Sequence, residues 1–163
     1  MVTVVVTVGG VRLLLVRSHR VDVLTVVELT TDEVARLRAA GLDRLLPHHE
    51  LDPATYATGA GVWSRYPFSA VVGPRGMTFH TVAVRVDVPA LKSFPVLAAH
   101  PVSPWPGPTA SWARDLATLD RWMARPGDAL VVGGDFLSST DAPQLREMLH
   151  GGLADAAGQA HAG

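Results

Sequence analysis

The sequence predicts an α/β or α+β sandwich, with sheets in the middle and helices outside. Short apolar or alternating segments, typical of strands, outnumber the helical segments. Two of the helical segments directly follow the ends of strands, and no linker-like stretch divides the 163 residues. We therefore expect one domain, residues 1–163, that is long enough to bury a hydrophobic core.

The composition narrows the classes of function. The hydrophobic fraction of 48% indicates a folded chain. The net charge of −1 argues against an extended nucleic-acid surface, since such surfaces neutralise many phosphates. The absence of cysteine excludes disulfides, thiolate metal sites and a cysteine nucleophile. A metal would have to bind carboxylates or imidazoles, and carboxylates favour Mg²⁺ or Mn²⁺.

The first third of the chain reads as strands followed by a helix. The apolar stretch from Met1 to Val16 is too short for a membrane span and lacks a basic leader, so we expect neither a signal peptide nor a membrane span in this chain. The sequence leaves the location unknown, with the cytoplasm as the default. In chain order we predict a strand Met1–Val8, a strand or short helix Val11–Arg17, a strand Val21–Leu29, and a helix from Thr31 to Gly41 capped by Thr31 or Asp32.

The rest of the chain alternates strands with two further helices. Phe79–Val88 shows the clearest alternation of strand type, and Trp112–Ala124 carries one apolar helical face. In chain order we predict a loop His48–Gly61, strands Gly61–Trp63, Ala70–Val72, Phe79–Val88 and Phe94–Ala99, a loop Pro101–Pro108, a helix Trp112–Ala124, a strand Ala129–Val132, a helix from Asp141 or Ala142 to Leu149, and a weakly structured tail Ala154–Gly163.

Three polar residues stand at the C-terminal ends of apolar strands: Glu28, His100 and Asp135. Functional side chains gather at such edges because a buried strand fixes the backbone while the side chain projects into a crevice. An acid, an imidazole and a second acid can hold a divalent cation and a phosphate. The sequence thus predicts a metal-assisted phosphoester site with Glu28 and Asp135 on the metal, His100 on the phosphoryl oxygens, and Asp135 orienting or deprotonating water.

Each of these residues also has a purely structural interpretation. Glu28 is compatible with a surface acid at a strand end, and His100 with a hydrogen-bonded core histidine. Asp135 follows two glycines and is compatible with an Asx turn.

Other polar side chains are weaker candidates. Arg65 is a candidate phosphate contact, although a solvated turn arginine is the simpler interpretation. Ser64 and Ser103 permit a Ser–His–Asp site with His100 and Asp135, but the chain has no G-x-S-x-G elbow. The remaining polar and aromatic residues are interpreted as a solvated loop (His48, His49, Glu50, Asp52) and as packing residues (Trp63, Trp105, Trp112, Trp122), with Trp105 also a candidate cleft residue.

Four segments, in order, resemble the endonuclease/exonuclease/phosphatase (DNase I-like) superfamily. VDVLTVVELT (Val21–Thr30) resembles the strand "pDvl.lqE", and GAGVWSRYPF (Gly59–Phe68) resembles "G.ailSr.Pi". VLAAHPVSP (Val96–Pro104) is similar to "v.n.H", and ALVVGGDFLSS (Ala129–Ser139) to "vi..GDFNa". The following LREMLHGGLADA is similar to the family's next helix and "gl.DA" segment. The resemblance is greatest to bacterial members linked to glycopeptide resistance.

The resemblance implies a four-layer α/β/β/α sandwich and a Mg²⁺- or Mn²⁺-dependent hydrolase of phosphodiesters or phosphomonoesters. It implies that Glu28 binds the metal, His100 contacts the phosphate, and Asp135 aligns the attacking water. The substrate is a phosphoester of unknown identity.

The chain departs from the family pattern in two ways. It contains no asparagine, and Leu137 stands where the "GDFN" motif has one. The family's closing Ser-Asp-His signature is also missing, since the last histidines, His150 and His161, do not follow Ser-Asp. We therefore expect an incomplete domain whose missing C-terminal strands leave an open sheet edge suited to self-association. Two functions follow: an impaired hydrolase, or a non-catalytic remnant that binds a metal or a partner.

Overall fold

The protein folds into two mixed β-sheets with helices on their outer faces. The computed structural model describes residues 4–8, 13–89, 91–105, 109–124, 129–138 and 142–156. Its elements, in chain order, are β1 (Val4–Val8), α1 (Leu13–Ser18), β2 (Val23–Val27), α2 (Thr31–Ala40), α3 (Leu42–Leu45), β3 (His48–Asp52), a 3₁₀ turn (Thr55–Ala57), β4 (Ala60–Ser64), β5 (Phe68–Ala70), β6 (Val82–Val86), β7 (Phe94–Ala98), α4 (Thr109–Met123), β8 (Val131–Gly133) and α5 (Pro143–His150).

Each sheet has four strands within the described ranges. Sheet A has the order β1-β2-β4-β3, and sheet B has the order β5-β6-β7-β8. The pairs β1–β2 and β7–β8 are parallel and the other pairs are antiparallel. Each parallel pair is joined through a helix, α1 or α4, as a parallel connection requires.

Alternating side chains on the strands divide the core into three apolar layers. In β2, Leu24 and Val26 face α2 and α3, while Val23 faces sheet B. In β7, Val96 faces sheet A, whereas Leu97 packs against α4 and α5. The layers therefore run helices, sheet A, sheet B, helices. The predicted two-sheet sandwich flanked by helices is confirmed.

The predicted loop His48–Gly61 was partly wrong, because its first residues form β3 at the edge of sheet A. Partly buried and exposed side chains alternate along β3, but nearly all of them are polar, so the sequence lacks the usual strand pattern. His49 and Leu51 point toward the α2 side, where Leu51 packs against the core and the His49 ring lies beside Trp63. Glu50 and Asp52 alternate with them and are exposed. Charged residues are common on edge strands, because they discourage pairing with another chain.

Helix α2 begins at Thr31, as predicted, but its cap lies one residue earlier than the sequence suggests. Its N-cap is Thr30, whose hydroxyl accepts a hydrogen bond from the Glu33 N–H at 3.2 Å, rather than Thr31 or Asp32. The Thr-x-x-Glu spacing is that of a capping box. Gly41 ends the helix with φ 92°, a left-handed conformation that glycine adopts without strain.

Most other predicted elements are present with shifted ends. The ambiguous segment Val11–Arg17 is helical from Leu13 onward, as α1, and its first two residues lie outside the described ranges. The short strand expected at Ala70–Val72 lies at Phe68–Ala70. Several predictions fall wholly or partly on residues outside the described ranges: the start of the first strand, Asp141 as a helix start, Pro106–Pro108, His161, and the tail beyond Ala156.

Four strands form the sheet edges in the described structure: β1, β3, β5 and β8. Val6 of β1 is 43% exposed at one of these edges. Self-association through an open edge stays a prediction, and sedimentation analysis would test it. Within the described ranges, every helix is too short or too polar to cross a membrane.

Candidate active site

One end of the sandwich gathers the segments that follow β2, β7 and β8. The Leu29 N–H, one residue after Glu28, donates to the Gly59 carbonyl at 3.0 Å. The neighbouring Thr58 carbonyl accepts from the His80 N–H, also at 3.0 Å. The adjacent Phe79 ring then meets the His100 ring, linking the two sheets at this end.

The segments after β7 and β8 are in direct contact. The Ala99 N–H donates to the Gly133 carbonyl at 3.1 Å, so His100 and Gly134 follow on neighbouring chains. A Cβ on Gly134 would overlap the carbonyl oxygen of Ala99, and one on Gly133 would overlap the Thr25 hydroxyl. Gly134 is therefore required by the close approach of the Ala99 backbone, and Gly133 by the close approach of the Thr25 and Val6 side chains.

Glu28 holds a strained position at the end of β2. Its φ is 58°, in the left-handed region that side chains other than Gly, Asn and Asp rarely occupy. Its side chain is partly buried, and within the described chain it has no hydrogen bond or ion pair. Backbone strain of this kind is often stored at functional sites. The conformation turns Glu28 out of the strand instead of continuing the sheet.

His100 is a buried imidazole without hydrogen-bond partners. The residue is 5% exposed, and neither Nδ1 nor Nε2 has a partner within the described chain. The Phe79 ring meets it edge-on, with ring centroids 5.3 Å apart at 65°. Buried polar atoms are nearly always hydrogen-bonded, so an orphaned pair points to a ligand-binding role. Within the described residues, the alternative of a core histidine satisfied by the protein is not supported.

Asp135 has a structural role in the loop that follows β8. Its Oδ1 accepts a hydrogen bond from the Leu137 N–H at 2.8 Å, which is the Asx turn that the Gly-Gly-Asp sequence suggested. The loop is also anchored from α4, because the Trp112 Nε1–H donates to the Phe136 carbonyl at 3.2 Å. One carboxylate oxygen of Asp135 therefore stabilises the turn that follows β8.

The carboxylates of Glu28 and Asp135 suit only a cation that needs few protein ligands. In the described ranges, no three Asp, Glu or His side chains lie together in a position to hold a metal. A preformed multi-ligand cage is therefore not present there. Mg²⁺ commonly binds through one or two carboxylates together with water and substrate phosphates, and Glu28 and Asp135 offer hard oxygens of that kind. The residues fit a magnesium-type ion.

Arg65 lies at the other end of sheet A. Its Nε donates to Asp22 Oδ1 at 3.0 Å, and its Nη2 donates to the Val21 carbonyl at 3.0 Å. Asp22 and Glu28 stand at opposite ends of β2, about 20 Å apart at the usual rise per residue of a strand. The structure does not bring Arg65 to Glu28, His100 and Asp135.

The Ser–His–Asp alternative is not supported. The Ser64 hydroxyl is buried at the Arg65 end and accepts a hydrogen bond from the Tyr66 N–H at 3.0 Å. The Ser103 hydroxyl donates to the Trp105 carbonyl and accepts from its N–H. Neither serine is bonded to His100, whose nitrogens have no partner in the described structure.

The sequence analysis missed Asp115, a fully buried carboxylate on α4. Its Oδ1 accepts from the Thr78 N–H and hydroxyl, both at 3.1 Å, and its Oδ2 accepts from the Val102 N–H at 3.0 Å. A signal was available, because Asp115 interrupts the apolar stripe that includes Trp112 and Leu119. An acid on a buried helical face requires partners elsewhere in the fold.

Comparison with known proteins identifies the family. The model of the endonuclease/exonuclease/phosphatase family matches residues 13–162. The chain belongs to this family. The resemblance predicted from the strand-end motifs is thereby confirmed, whereas the link to glycopeptide resistance stays a prediction. Comparison with curated protein sequences gave no match.

Solved structures with the same fold include enzymes and a toxin. Sphingomyelinase C from Streptomyces griseocarneus is 19% identical with a TM-score of 0.61, over 83% of this chain and 58% of that one. A variant of beta toxin from Staphylococcus aureus with bound magnesium ions is 14% identical with a TM-score of 0.61, over 82% and 58%. TDP2 from D. rerio, complexed with a single-strand DNA product, is 12% identical with a TM-score of 0.60, over 82% and 54%.

At these identities the likeness concerns the fold. The family member described here spans less than three fifths of the length of each of these three structures. Activity, substrate and cofactor therefore have to be argued from its own residues.

Proposed function

We propose that this endonuclease/exonuclease/phosphatase-family domain is a phosphoester hydrolase that uses Mg²⁺ or Mn²⁺, with Glu28, His100 and Asp135 as its site. The main support for the proposal is the buried His100 ring, whose two nitrogens have no hydrogen-bond partner in the described structure. Two carboxylates follow strands that end on the same side of the sandwich, Glu28 after β2 of sheet A and Asp135 after β8 of sheet B. A phosphoryl oxygen is the kind of ligand that an imidazole N–H in this position can bind.

Each residue has a separate task in the proposed reaction. Glu28, which has no protein partner in the described chain, and Asp135 would hold the divalent ion. The ion, when bound, would polarise the phosphoryl oxygens and neutralise charge that develops on them. His100 would donate a hydrogen bond to a phosphoryl oxygen. Asp135, fixed by its bond from the Leu137 N–H, would orient the attacking water and accept its proton.

The proposed substrate is a small phosphodiester or phosphomonoester, or a polymer that is bound at one point. The net charge of −1 supports the absence of a long basic surface. A soluble phosphodiester and a soluble phosphomonoester are therefore suitable first probes.

The test is a titration of Mg²⁺ and Mn²⁺ against bis(p-nitrophenyl) phosphate and p-nitrophenyl phosphate. Metal-dependent turnover is expected from the wild type, and its loss from Glu28→Gln and Asp135→Ala. Asp87→Asn is the matched control, because Asp87 is an exposed acid beyond the far end of β6. Turnover that is no higher in the wild type than in Asp135→Ala would contradict the proposal.

One observation favours a second function, a non-catalytic domain that binds a metal or a partner. Leu137 stands where the family motif has an asparagine, and a leucine offers no hydrogen bond to a reacting phosphate. In that case calorimetry would detect Mg²⁺ or Mn²⁺ binding that Glu28→Gln removes, without turnover of either phosphoester. Metal-dependent turnover abolished by Glu28→Gln would exclude this alternative.

A further inference from the structure

The buried carboxylate of Asp115 connects two loops that flank His100. Through Oδ1 it accepts two hydrogen bonds from Thr78, and through Oδ2 it accepts one from the Val102 N–H. The residue is 0% exposed, so these bonds are shielded from water. Hydrogen bonds to an ionised acceptor are about twice as strong as neutral ones.

The two anchored loops meet at His100. Thr78 directly precedes Phe79, whose ring packs edge-on against the imidazole at a centroid distance of 5.3 Å. Val102 follows His100 by two residues and is held by the other oxygen of the same carboxylate. The contacts thus form a closed circuit that includes the imidazole and runs through Asp115, Thr78–Phe79 and His100–Val102.

Within the described residues, the imidazole has no hydrogen bond that could fix its orientation. Its placement therefore depends on its backbone and on packing that includes the Phe79 ring, and the segments of Phe79 and Val102 are both tied to Asp115. An apolar residue at this position would complete the stripe formed by Trp112 and Leu119. A buried acid is retained instead, although removing a carboxylate from water is unfavourable unless its partners compensate.

We propose that Asp115 is a positioning residue for His100, a role that rests on the proposed phosphoester hydrolysis. It keeps the Phe79 and Val102 segments at a fixed separation, so that the imidazole N–H points at the phosphoryl group. It does not touch the substrate.

The first variant is Asp115→Asn, which removes the hydrogen bond between this side chain and the Val102 N–H. The amide oxygen still accepts from Thr78, but the amide nitrogen meets the Val102 N–H donor to donor. We expect kcat to fall about 100-fold, since a shift of about 1 Å in a catalytic group has an effect of this size. KM should change little, because the lost interaction belongs to the transition state.

A milder variant guards against misfolding. Thr78→Val removes only the hydroxyl bond to Asp115 and leaves the bond from its backbone N–H. It should lower kcat by a smaller factor than Asp115→Asn, again with little change in KM. The matched control is Thr118→Val, which removes another buried hydroxyl of α4 whose partner is Arg121. Its kcat should equal that of the wild type.

A readout independent of turnover is the NMR spectrum of ¹⁵N-labelled histidine rings, together with hydrogen exchange at Val102. Asp115→Asn should shift or broaden the His100 ring signals and speed exchange at Val102, while amides near Leu119 in α4 stay protected. Thr118→Val should change neither signal.

The outcomes separate the two proposals. Absence of turnover in the wild type overturns the proposed function, and the His100 ring signals still decide whether Asp115 positions the imidazole. Unchanged ring signals in Asp115→Asn overturn the positioning role. So does a loss of kcat that is matched by the loss of folded protein or reproduced by Thr118→Val.

Discussion

Two sets of polar residues at opposite ends of the sandwich differ in their hydrogen bonding. At one end, the Arg65 guanidinium is bonded to Asp22 and to the Val21 carbonyl. At the other end, Glu28 has no partner in the described chain, and both nitrogens of the buried His100 ring are unpaired. Polar groups that satisfy each other stabilise a fold, whereas unsatisfied buried groups are suited to bind something else. We therefore infer a structural role for the Arg65–Asp22 pair and propose a chemical one for Glu28 and His100.

Replacement of His100 should give the largest effect. His100→Leu removes the proposed phosphate donor, so kcat should fall by about 100- to 1000-fold. The free energy of unfolding should stay the same or rise, since two unsatisfied buried nitrogens disappear. Urea denaturation and the phosphoester assay measure both quantities. A variant that is strongly destabilised but still active would place His100 with the structural residues.

Replacement of Arg65 should show the reverse pattern. Arg65→Ala removes the guanidinium that donates to the largely buried Asp22 carboxylate and to the Val21 carbonyl, and the free energy of unfolding should fall by about 1.5 to 3 kcal/mol. Turnover per folded molecule should change little. Arg75→Ala is the control, since Arg75 is an exposed turn residue and the described structure gives it no ion pair. A large loss of kcat without a loss of stability would show that Arg65 binds substrate.

Leu137→Asn should have the smallest effect on stability and sharpens the comparison at the site end. Leu137 has φ 51°, a left-handed conformation that asparagine tolerates better than leucine. The variant should therefore gain about 1 kcal/mol in the free energy of unfolding. Because the family motif has an asparagine here, kcat should also rise. Leu137→Gln adds an amide without the same backbone preference, and equal gains from both variants would contradict the conformational explanation.

The strand ends of this family member could be predicted because each is marked in the sequence. Apolar runs stop at Glu28, His100 and Asp135, and the Gly-Gly pair marks the close approach before Asp135. Strand β3 was missed because an edge strand buries only part of one face, so its sequence is as polar as a loop.

Other features depend on contacts that sequence patterns do not encode. Asp115 bonds residues 37 and 13 positions away, so its partners emerge only when β6, β7 and α4 have packed together. The unpaired state of His100 is equally a property of the fold. The residue type suggested a role, but only the surrounding structure shows that no group in the described part of the chain forms a hydrogen bond with the ring.

Paramagnetic broadening by Mn²⁺ of the ¹⁵N-histidine ring signals tests whether a divalent ion binds beside Glu28 and His100. His100 lies at the proposed metal end, whereas His48 pairs with Ser64 at the opposite end of the sandwich. Substoichiometric Mn²⁺ should broaden the His100 signals well before those of His48, and Glu28→Gln should remove this difference. Equal broadening of both rings, or broadening of His48 first, would contradict this expectation.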